Sequence, residues 1–297
     1  MSPKNLTRRE FIKTGTLAAA AGTLLINNPQ SLLSAPKEKV RVVLIRNKSV
    51  LSDGGKLNPD IIQEMLDESV RVIFNTKETN QAWKKIIKPD DVVGIKTNVW
   101  SYLRTPAELE NAIKKRVMEC GVTEENISIK DRGVLRDPVF QKNTALINSR
   151  PMRTHYWSGV GGLIKNYIMF VERPSAWHGD SCADLAALWK LPVVANKTRL
   201  NVLVMLTPQF HNIGPHGFSP EYVWKYYGLI VGVDPVACDA VGLKIIEAKR
   251  KEYFNEAKPL NPPAKHIELA DTRHNLGIAE MEKINLIKIG FEEGRFI

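Results

Sequence analysis

The strongest constraint on the fold is a repeated order in which a short apolar strand is followed by a helix. Residues 91–98 form an apolar run that ends in the polar side chains of Lys96 and Asn98. A helical pattern follows, and a second strand at 126–130 leads directly to Asp131. Strand–helix–strand units favour parallel pairing, with helices covering the sheet. We therefore predict an α/β fold of three layers, with a mostly parallel central sheet and helices on both faces.

The same two strands indicate where a ligand would bind. In a parallel sheet the carboxyl ends of the strands meet at one edge, and ligands bind just outside that edge. Lys96, Asn98 and Asp131 stand at these ends. We expect all three to be ligand-binding residues.

The segment 153–180 has the densest set of chemically active residues in the chain. It contains His155, the Lys165–Asn166 pair and His178, interrupted by three glycines. Glycine permits close approach of the backbone and weakens a helix, so an ordinary core helix does not explain this composition. We interpret the segment as the floor of a ligand site, with Lys165, His155 and His178 as catalytic candidates and Asn166 as a ligand-binding residue.

Four cations suggest that the ligand is anionic. These are Lys96, Lys165, Lys197 and Arg199, and three of them lie beside strands or glycine turns. Arg and Lys bind carboxylates and phosphates. The formal net charge of +10 would attract such a ligand. Lys165 would also serve as a base or a Schiff-base nucleophile in a desolvated site. The alternative interpretation is that each lysine is a solvated surface group.

Two aspartates and the histidines allow further interpretations. Asp239 is a ligand-binding candidate, because the helix that Asp234 is expected to cap would turn it toward the basic cluster. His155, His178 and Asp180, together with His211 or His216, offer nitrogen and oxygen ligands for a divalent metal. Alternatively, these histidines cap loops or bond buried carbonyls.

The cysteine content bears on redox chemistry. The three cysteines, Cys120, Cys182 and Cys238, form no C-x-x-C pair, so we expect no iron–sulfur cluster. Burial as small apolar residues is the favoured role, although one disulfide plus one free thiol is the alternative. No block of basic residues with interleaved aromatics is present, so we expect no nucleic-acid partner.

The N-terminus predicts export. Residues 7–13 match the twin-arginine pattern, and a short apolar run follows at 16–26. We predict a signal segment over 1–35, a single α/β domain over 36–297, and the twin-arginine translocation machinery as a partner. The location would be the periplasm or the outer face of the cytoplasmic membrane, with membrane contact only through an uncleaved signal. The alternative is a basic amphipathic N-terminal helix.

Several short motifs occur together in a characteristic order. They are Val93-Gly94-Ile95-Lys96-Thr97-Asn98, the strand ending at Asp131, Thr154-His155, Lys165-Asn166, Trp177-His178, Lys197-Thr198-Arg199-Leu200 and Asp234 through Asp239. Over about residues 40–250 the chain resembles the domain of unknown function 362 family in its twin-arginine-exported form. The resemblance implies an α/β fold. Many members carry a ferredoxin-like cysteine module, which this chain lacks.

Two classes of function are compatible with these patterns. The first is an exported enzyme acting on a small anionic substrate, with Lys165, Lys96, His155 and His178 as acid, base or ligand residues and Arg199 holding the anion. Isomerase, lyase and oxidoreductase chemistry are not separable from the sequence. The second is a non-catalytic periplasmic binding protein, or an accessory protein of a redox complex.

Overall fold

The central element of the protein is one sheet of eight strands. The computed structural model describes residues 39–212, 214 and 217–297. The strands are β1 (Val40–Arg46), β2 (Val93–Lys96), β3 (Ile127–Lys130), β4 (Ala145–His155), β5 (Gly159–Gly161), β6 (Thr198–Gln209), β7 (Gly228–Gly232) and β8 (Ile284–Gly290). Their order in the sheet is β3-β2-β4-β6-β7-β1-β8, and β5 pairs with β4.

Helices connect and cover these strands. They are α1 (Pro59–Phe74), α2 (Thr79–Trp83), α3 (Ala107–Glu119), α4 (Pro138–Lys142), α5 (Leu163–Asn166), α6 (Pro235–Phe254) and α7 (Lys265–Thr272). The longest, α6, begins where the Asp234 side chain accepts hydrogen bonds from Val236 N and Ala237 N, at 2.8 and 3.0 Å. The capping role predicted for Asp234 is confirmed.

Most of the sheet is parallel, as predicted. The pairs β2–β3, β2–β4, β4–β6 and β1–β8 are parallel. Strand β7 is antiparallel to both of its neighbours, β6 and β1. The chain between β6 and β7 contains no crossover helix among its described residues, and a parallel return needs such a crossover. The sheet is therefore mixed.

The alternation of side chains along the strands builds two cores. In β1, Val43 and Ile45 pack with α1, α2 and α3, whereas Val42 and Leu44 pack with α5 and α6. Successive side chains of a strand point to opposite faces, so a strand buried on both sides reads as a continuous apolar run. The predicted placement of helices on both faces is confirmed.

Residues Val40–Ile297 form one compact unit. The signal segment predicted over 1–35 lies outside the described residues, and the domain bounds stay a prediction. Within the described ranges, no helix has both the length and the apolar character that a membrane span requires. Cys120, Cys182 and Cys238 are buried and not disulfide-bonded, as favoured from the sequence.

Candidate functional site

An ion pair between Lys96 and Asp131 lies where β2 and β3 end. The Lys96 side chain is 0% exposed, and its Nζ donates to Asp131 Oδ1 at 2.7 Å and to Thr97 O at 2.8 Å. Burial lowers the pKa of Lys96 to about 8, although the Asp131 carboxylate opposes this shift. Asp131 Oδ2 accepts a further bond from Val99 N. The structure thus brings together two polar residues that the strand ends predicted.

Three buried asparagines continue this arrangement across β4 and β6. Asn166 Nδ2 donates to Asn148 Oδ1 at 2.8 Å, and Asn148 Nδ2 donates to Asn201 Oδ1 at 3.1 Å. Asn148 Nδ2 also donates to the carbonyl of Leu163 at 3.1 Å. The side-chain amides therefore hold α5 against the sheet, since each bond joins parts of the chain that are distant in sequence.

Asp239 holds the start of the same short helix. Its two carboxylate oxygens accept from Leu163 N at 2.8 Å and Ile164 N at 2.9 Å. Gly162 permits this contact, because an added Cβ would lie 2.3 Å from Asp239 Oδ1. Burial raises the pKa of Asp239 to about 7, against the lowering effect of the two N–H donors and the charge of Arg150.

The charged or amide group of each of these residues forms hydrogen bonds to other groups of the protein. We call them the saturated network: Lys96, Asp131, Asn148, Asn166, Asn201 and Asp239.

Arg150 lies next to this network on β4. Its side chain is 4% exposed, and its buried Nε has no hydrogen-bond partner among the described residues. No ion pair or side-chain hydrogen bond joins its guanidinium to another described residue. Gly161 leaves room for it, because a Cβ there would lie 2.9 Å from Arg150 Nη2. Burial lowers the pKa of Arg150 to about 10, while the charges of Asp131 and Asp239 oppose the shift.

Arg153, near the end of β4, is satisfied only in part. Its Nη1 donates to Asn98 Oδ1 at 3.2 Å, and its guanidinium carbon lies 4.4 Å from the centre of the Trp100 ring. The buried Nε has no hydrogen-bond partner in the described part of the chain. Burial and the charge of Arg150 lower the pKa of Arg153. A cation over an aromatic face gains some stabilisation, but it acquires no counter-charge.

Lys165 is the third buried cation of this group. It is almost fully buried on α5, and its Nζ donates to Cys182 Sγ at 3.4 Å. Burial lowers the pKa of Lys165 to about 8, against the influence of Cys182. No described carboxylate forms an ion pair with Lys165, Arg150 or Arg153. We call these three residues the open cation cluster.

Two histidines border the open cation cluster, and both are neutral at pH 7. His155 Nδ1 accepts from Trp157 N at 3.2 Å, so the ring proton lies on Nε2. Burial, together with the charges of Lys165 and Arg150, lowers the pKa of His155. His178 stacks on Trp157 with ring centroids 3.9 Å apart, and burial lowers its pKa to about 4.

Lys197 and Arg199 do not join the cluster. They stand at the amino end of β6, whereas the cluster lies toward the carboxyl half of β4, which runs parallel to β6. Arg199 Nη2 donates to the carbonyl of Thr144, just before β4. The four cations singled out from the sequence therefore do not form one cluster, because the amino ends of parallel strands lie at the opposite end of the sheet from their carboxyl ends. A ligand-binding role for Lys197 and Arg199 stays a prediction.

The proposed metal ligands do not converge in the described residues. Asp180 is 68% exposed and forms an ion pair with Lys265. His211 Nδ1 lies 3.0 Å from Arg250 Nη1, and His216 lies outside the described residues. No group of three His, Cys, Asp or Glu side chains in the described part of the chain is placed to hold a metal ion. A divalent metal stays a prediction from the sequence.

A family model described as a domain of unknown function (DUF362) matches residues 93–244, slightly more than half of the chain. The chain belongs to the DUF362 family. This confirms the resemblance based on the sequence motifs. The matched region contains every residue of the saturated network and of the open cation cluster. No curated protein and no solved structure matches the chain.

Arg150 is the main residue of the site that the sequence analysis did not identify. The short apolar run at 145–147 predicts a strand that ends at Asn148, whereas β4 runs from Ala145 to His155. A signal was present, since the apolar residues 145–147 are followed by polar Asn148, Ser149 and Arg150. This is the same pattern that located Lys96 and Asn98.

Proposed function

We propose that this DUF362 protein binds a small anionic ligand in the open cation cluster. The observation that carries the proposal is the Arg150 guanidinium, which is buried and has no partner among the described side chains and backbone groups. Buried polar groups are nearly always hydrogen-bonded, and a buried charge without a partner is costly. A guanidinium presents paired N–H donors that match a carboxylate or a phosphate. An anion at Arg150 would satisfy these donors.

The local charge balance supports the same proposal. Asp131 is paired with Lys96, and Asp239 accepts bonds from two backbone N–H groups. The remaining cations, Arg150, Arg153 and Lys165, have no paired carboxylate in the described structure. A bound dianion would offset most of this positive charge. The formal net charge of +10 would also favour the approach of an anion.

Lys165 gives the proposed site a group that can transfer a proton. A lysine with a pKa of about 8 is partly neutral just above pH 7, and a neutral amine accepts a proton. We propose Lys165 as the acid or base of an enzyme acting on the bound anion. Reactions that move a proton beside a carboxylate, such as isomerisation or elimination, match this arrangement. The contact with Cys182 places the amine beside the turn 179–182.

The experiment that tests anion binding is calorimetric titration of the full chain with sodium sulfate, sodium phosphate and sodium malonate at constant ionic strength. We expect saturable binding at one site. Arg150→Met should weaken it by at least about tenfold, the effect of about 1.4 kcal/mol. Arg199→Met is the matched control, because Arg199 lies at the amino-terminal end of β6, away from Arg150. Equal binding by wild type and Arg150→Met would contradict the proposal.

We also propose export by the twin-arginine route, which the motif at 7–13 supports. Cell fractionation of the native host should find the wild-type chain outside the cytoplasm. A double substitution, Arg8→Lys with Arg9→Lys, should retain it inside. Unchanged export of this variant would contradict the proposal.

A further inference from the structure

His266 is a buried residue near the open cation cluster that the proposed function does not use. It is the second residue of α7, and its side chain is 0% exposed. Neither Nδ1 nor Nε2 has a hydrogen-bond partner among the described residues. A neutral imidazole carries one donor and one acceptor, so both of its hydrogen-bonding groups are unused. Buried nitrogen atoms without a hydrogen-bond partner are rare in proteins, so a bound ligand that supplies the missing partners must be considered.

Contacts on two sides fix the position of the start of α7, where His266 lies. The loop before α7 lies against Gly159 of β5, where an added Cβ would meet Pro262 O at 2.6 Å and Ala264 N at 2.8 Å. On its other side, the adjacent Lys265 forms an ion pair with Asp180. The start of α7 is therefore held between β5 and the turn 179–182, and that turn also supplies the Cys182 contact to Lys165.

Two charges of the open cation cluster, those of Lys165 and Arg150, act on the His266 ring. Burial, followed by the charges of Lys165 and Arg150, lowers the pKa of His266 to about 3. The ring is therefore neutral at pH 7. It adds no positive charge to the cluster, but it adds a hydrogen-bond donor and an acceptor beside it. A donor and an acceptor on one ring match a hydroxyl, which both donates and accepts.

We propose that His266 is a ligand-binding residue of the same site, and that the ligand is a small hydroxy or oxo acid. The carboxylate would face Arg150, while the neighbouring hydroxyl or carbonyl oxygen would bond to His266. A hydroxyl both donates and accepts, and a carbonyl accepts the imidazole N–H. The inference rests on the proposed function, because it assumes that an anion occupies the open cation cluster.

Matched pairs of acids test this assignment. The probes are lactate with propionate, malate with succinate, and 2-oxoglutarate with glutarate, and the members of each pair differ only in the oxygen substituent. Titration of the wild-type chain should show that at least one hydroxy or oxo acid binds about tenfold tighter than its partner. That factor corresponds to one lost buried hydrogen bond.

Two substitutions of the same shape separate hydrogen bonding from packing. His266→Asn keeps a donor and an acceptor, whereas His266→Leu has neither. We expect His266→Leu to bind both members of a pair equally and His266→Asn to keep part of the preference. Thermal unfolding of both ligand-free variants tests whether they fold. If His266→Leu does not fold, His266→Phe takes its place, because phenylalanine keeps a planar ring but has neither donor nor acceptor. A preference that persists unchanged in His266→Phe would overturn the assignment.

The possible outcomes distinguish the two proposals. If sulfate binds to the wild type but no hydroxy or oxo acid is preferred, the assignment of His266 is wrong and the anion site stands. A preference that persists unchanged in His266→Leu also overturns the assignment. If neither sulfate nor any acid binds to the wild type, the proposed function itself fails.

Discussion

The saturated network and the open cation cluster are interleaved along the same segments, yet their bonding differs. On β4, Asn148 bonds to two side chains, whereas Arg150, two residues later, bonds to none that the structure describes. On α5, Asn166 bonds to Asn148 and to backbone carbonyls. The one described hydrogen-bond partner of the neighbouring Lys165 side chain is the sulfur of Cys182. The comparison separates two groups of residues. The saturated network forms hydrogen bonds that stabilise the fold, whereas the open cation cluster has charged groups that a ligand could bind.

The largest effect that we predict is in the saturated network. Lys96→Met leaves the Asp131 carboxylate buried without its cation, and breaking a buried pair in this way costs about 3–5 kcal/mol. Urea unfolding should show this loss in the free energy of unfolding. Lys197→Met, at the opposite edge of the sheet, should change it by no more than about 0.5 kcal/mol. Similar stabilities for the two variants would remove the distinction between Lys96 and a lysine outside the saturated network.

The next effect concerns the start of α5. Gly162→Ala forces a Cβ to within 2.3 Å of Asp239 Oδ1, so the helix must move off its carboxylate. We expect a loss of about 1–3 kcal/mol, as for other overpacked sites. Gly179→Ala is the control, because no atom lies within 4 Å of the added Cβ. A tolerated Gly162→Ala would show that Asp239 does not fix α5.

The open cation cluster should respond in the opposite direction. Arg150→Met removes a buried charge that has no described protein partner, so in sulfate-free buffer the free energy of unfolding should stay unchanged or rise by about 1 kcal/mol. Stabilisation of the wild type by sulfate should disappear in the variant. A loss of stability comparable to that of Lys96→Met would indicate that Arg150 is a structural residue.

A smaller effect is expected from pH. The pKa of Lys165 is about 8 in the folded protein and 10.5 as its ordinary value. Between these values the unfolded chain binds more protons than the folded chain, so this group makes stability rise with pH. Lys165→Met should reduce the slope of unfolding free energy between pH 8 and 9.5, while Lys96 retains its own contribution. An unchanged slope would mean that Lys165 is not desolvated.

The same titration should weaken anion binding. As Lys165 loses its proton above pH 8, the affinity of the wild type for sulfate should fall, because sulfate keeps its charge over this range. The Lys165→Met variant should bind sulfate more weakly, with less dependence on pH. Calorimetry at pH 7 and pH 9 compares the two proteins. A wild-type affinity that does not change between these values would exclude Lys165 from the site.

The strand ends allowed part of this arrangement to be predicted from the sequence. Lys96 and Asp131 were predictable, because the carboxyl ends of neighbouring parallel strands meet. Arg150 follows an apolar run in the same way, but Pro151 argues against extending that strand, so the sequence alone did not place Arg150 in the sheet. The structure accommodates Pro151 at an irregularity in the β4–β6 register between Pro151 and Arg153, so the strand continues past it.

The role of His266 depends on contacts that no local pattern encodes. It lies on a helix of eight residues, and the loop packed against Gly159 decides which side of that helix is buried. The sequence shows a single histidine near a proline-rich loop, which is compatible with a surface position. Only the tertiary fold brings it near Lys165 and Arg150.

The most direct test of the open cation cluster is a crystal structure of the full chain grown with selenate, a sulfate analogue that scatters anomalously. We predict an anomalous peak whose oxygens lie about 3 Å from the Arg150 guanidinium, and no such peak in Arg150→Met crystals. Arg150 paired with a protein carboxylate, without selenate beside it, would contradict the account.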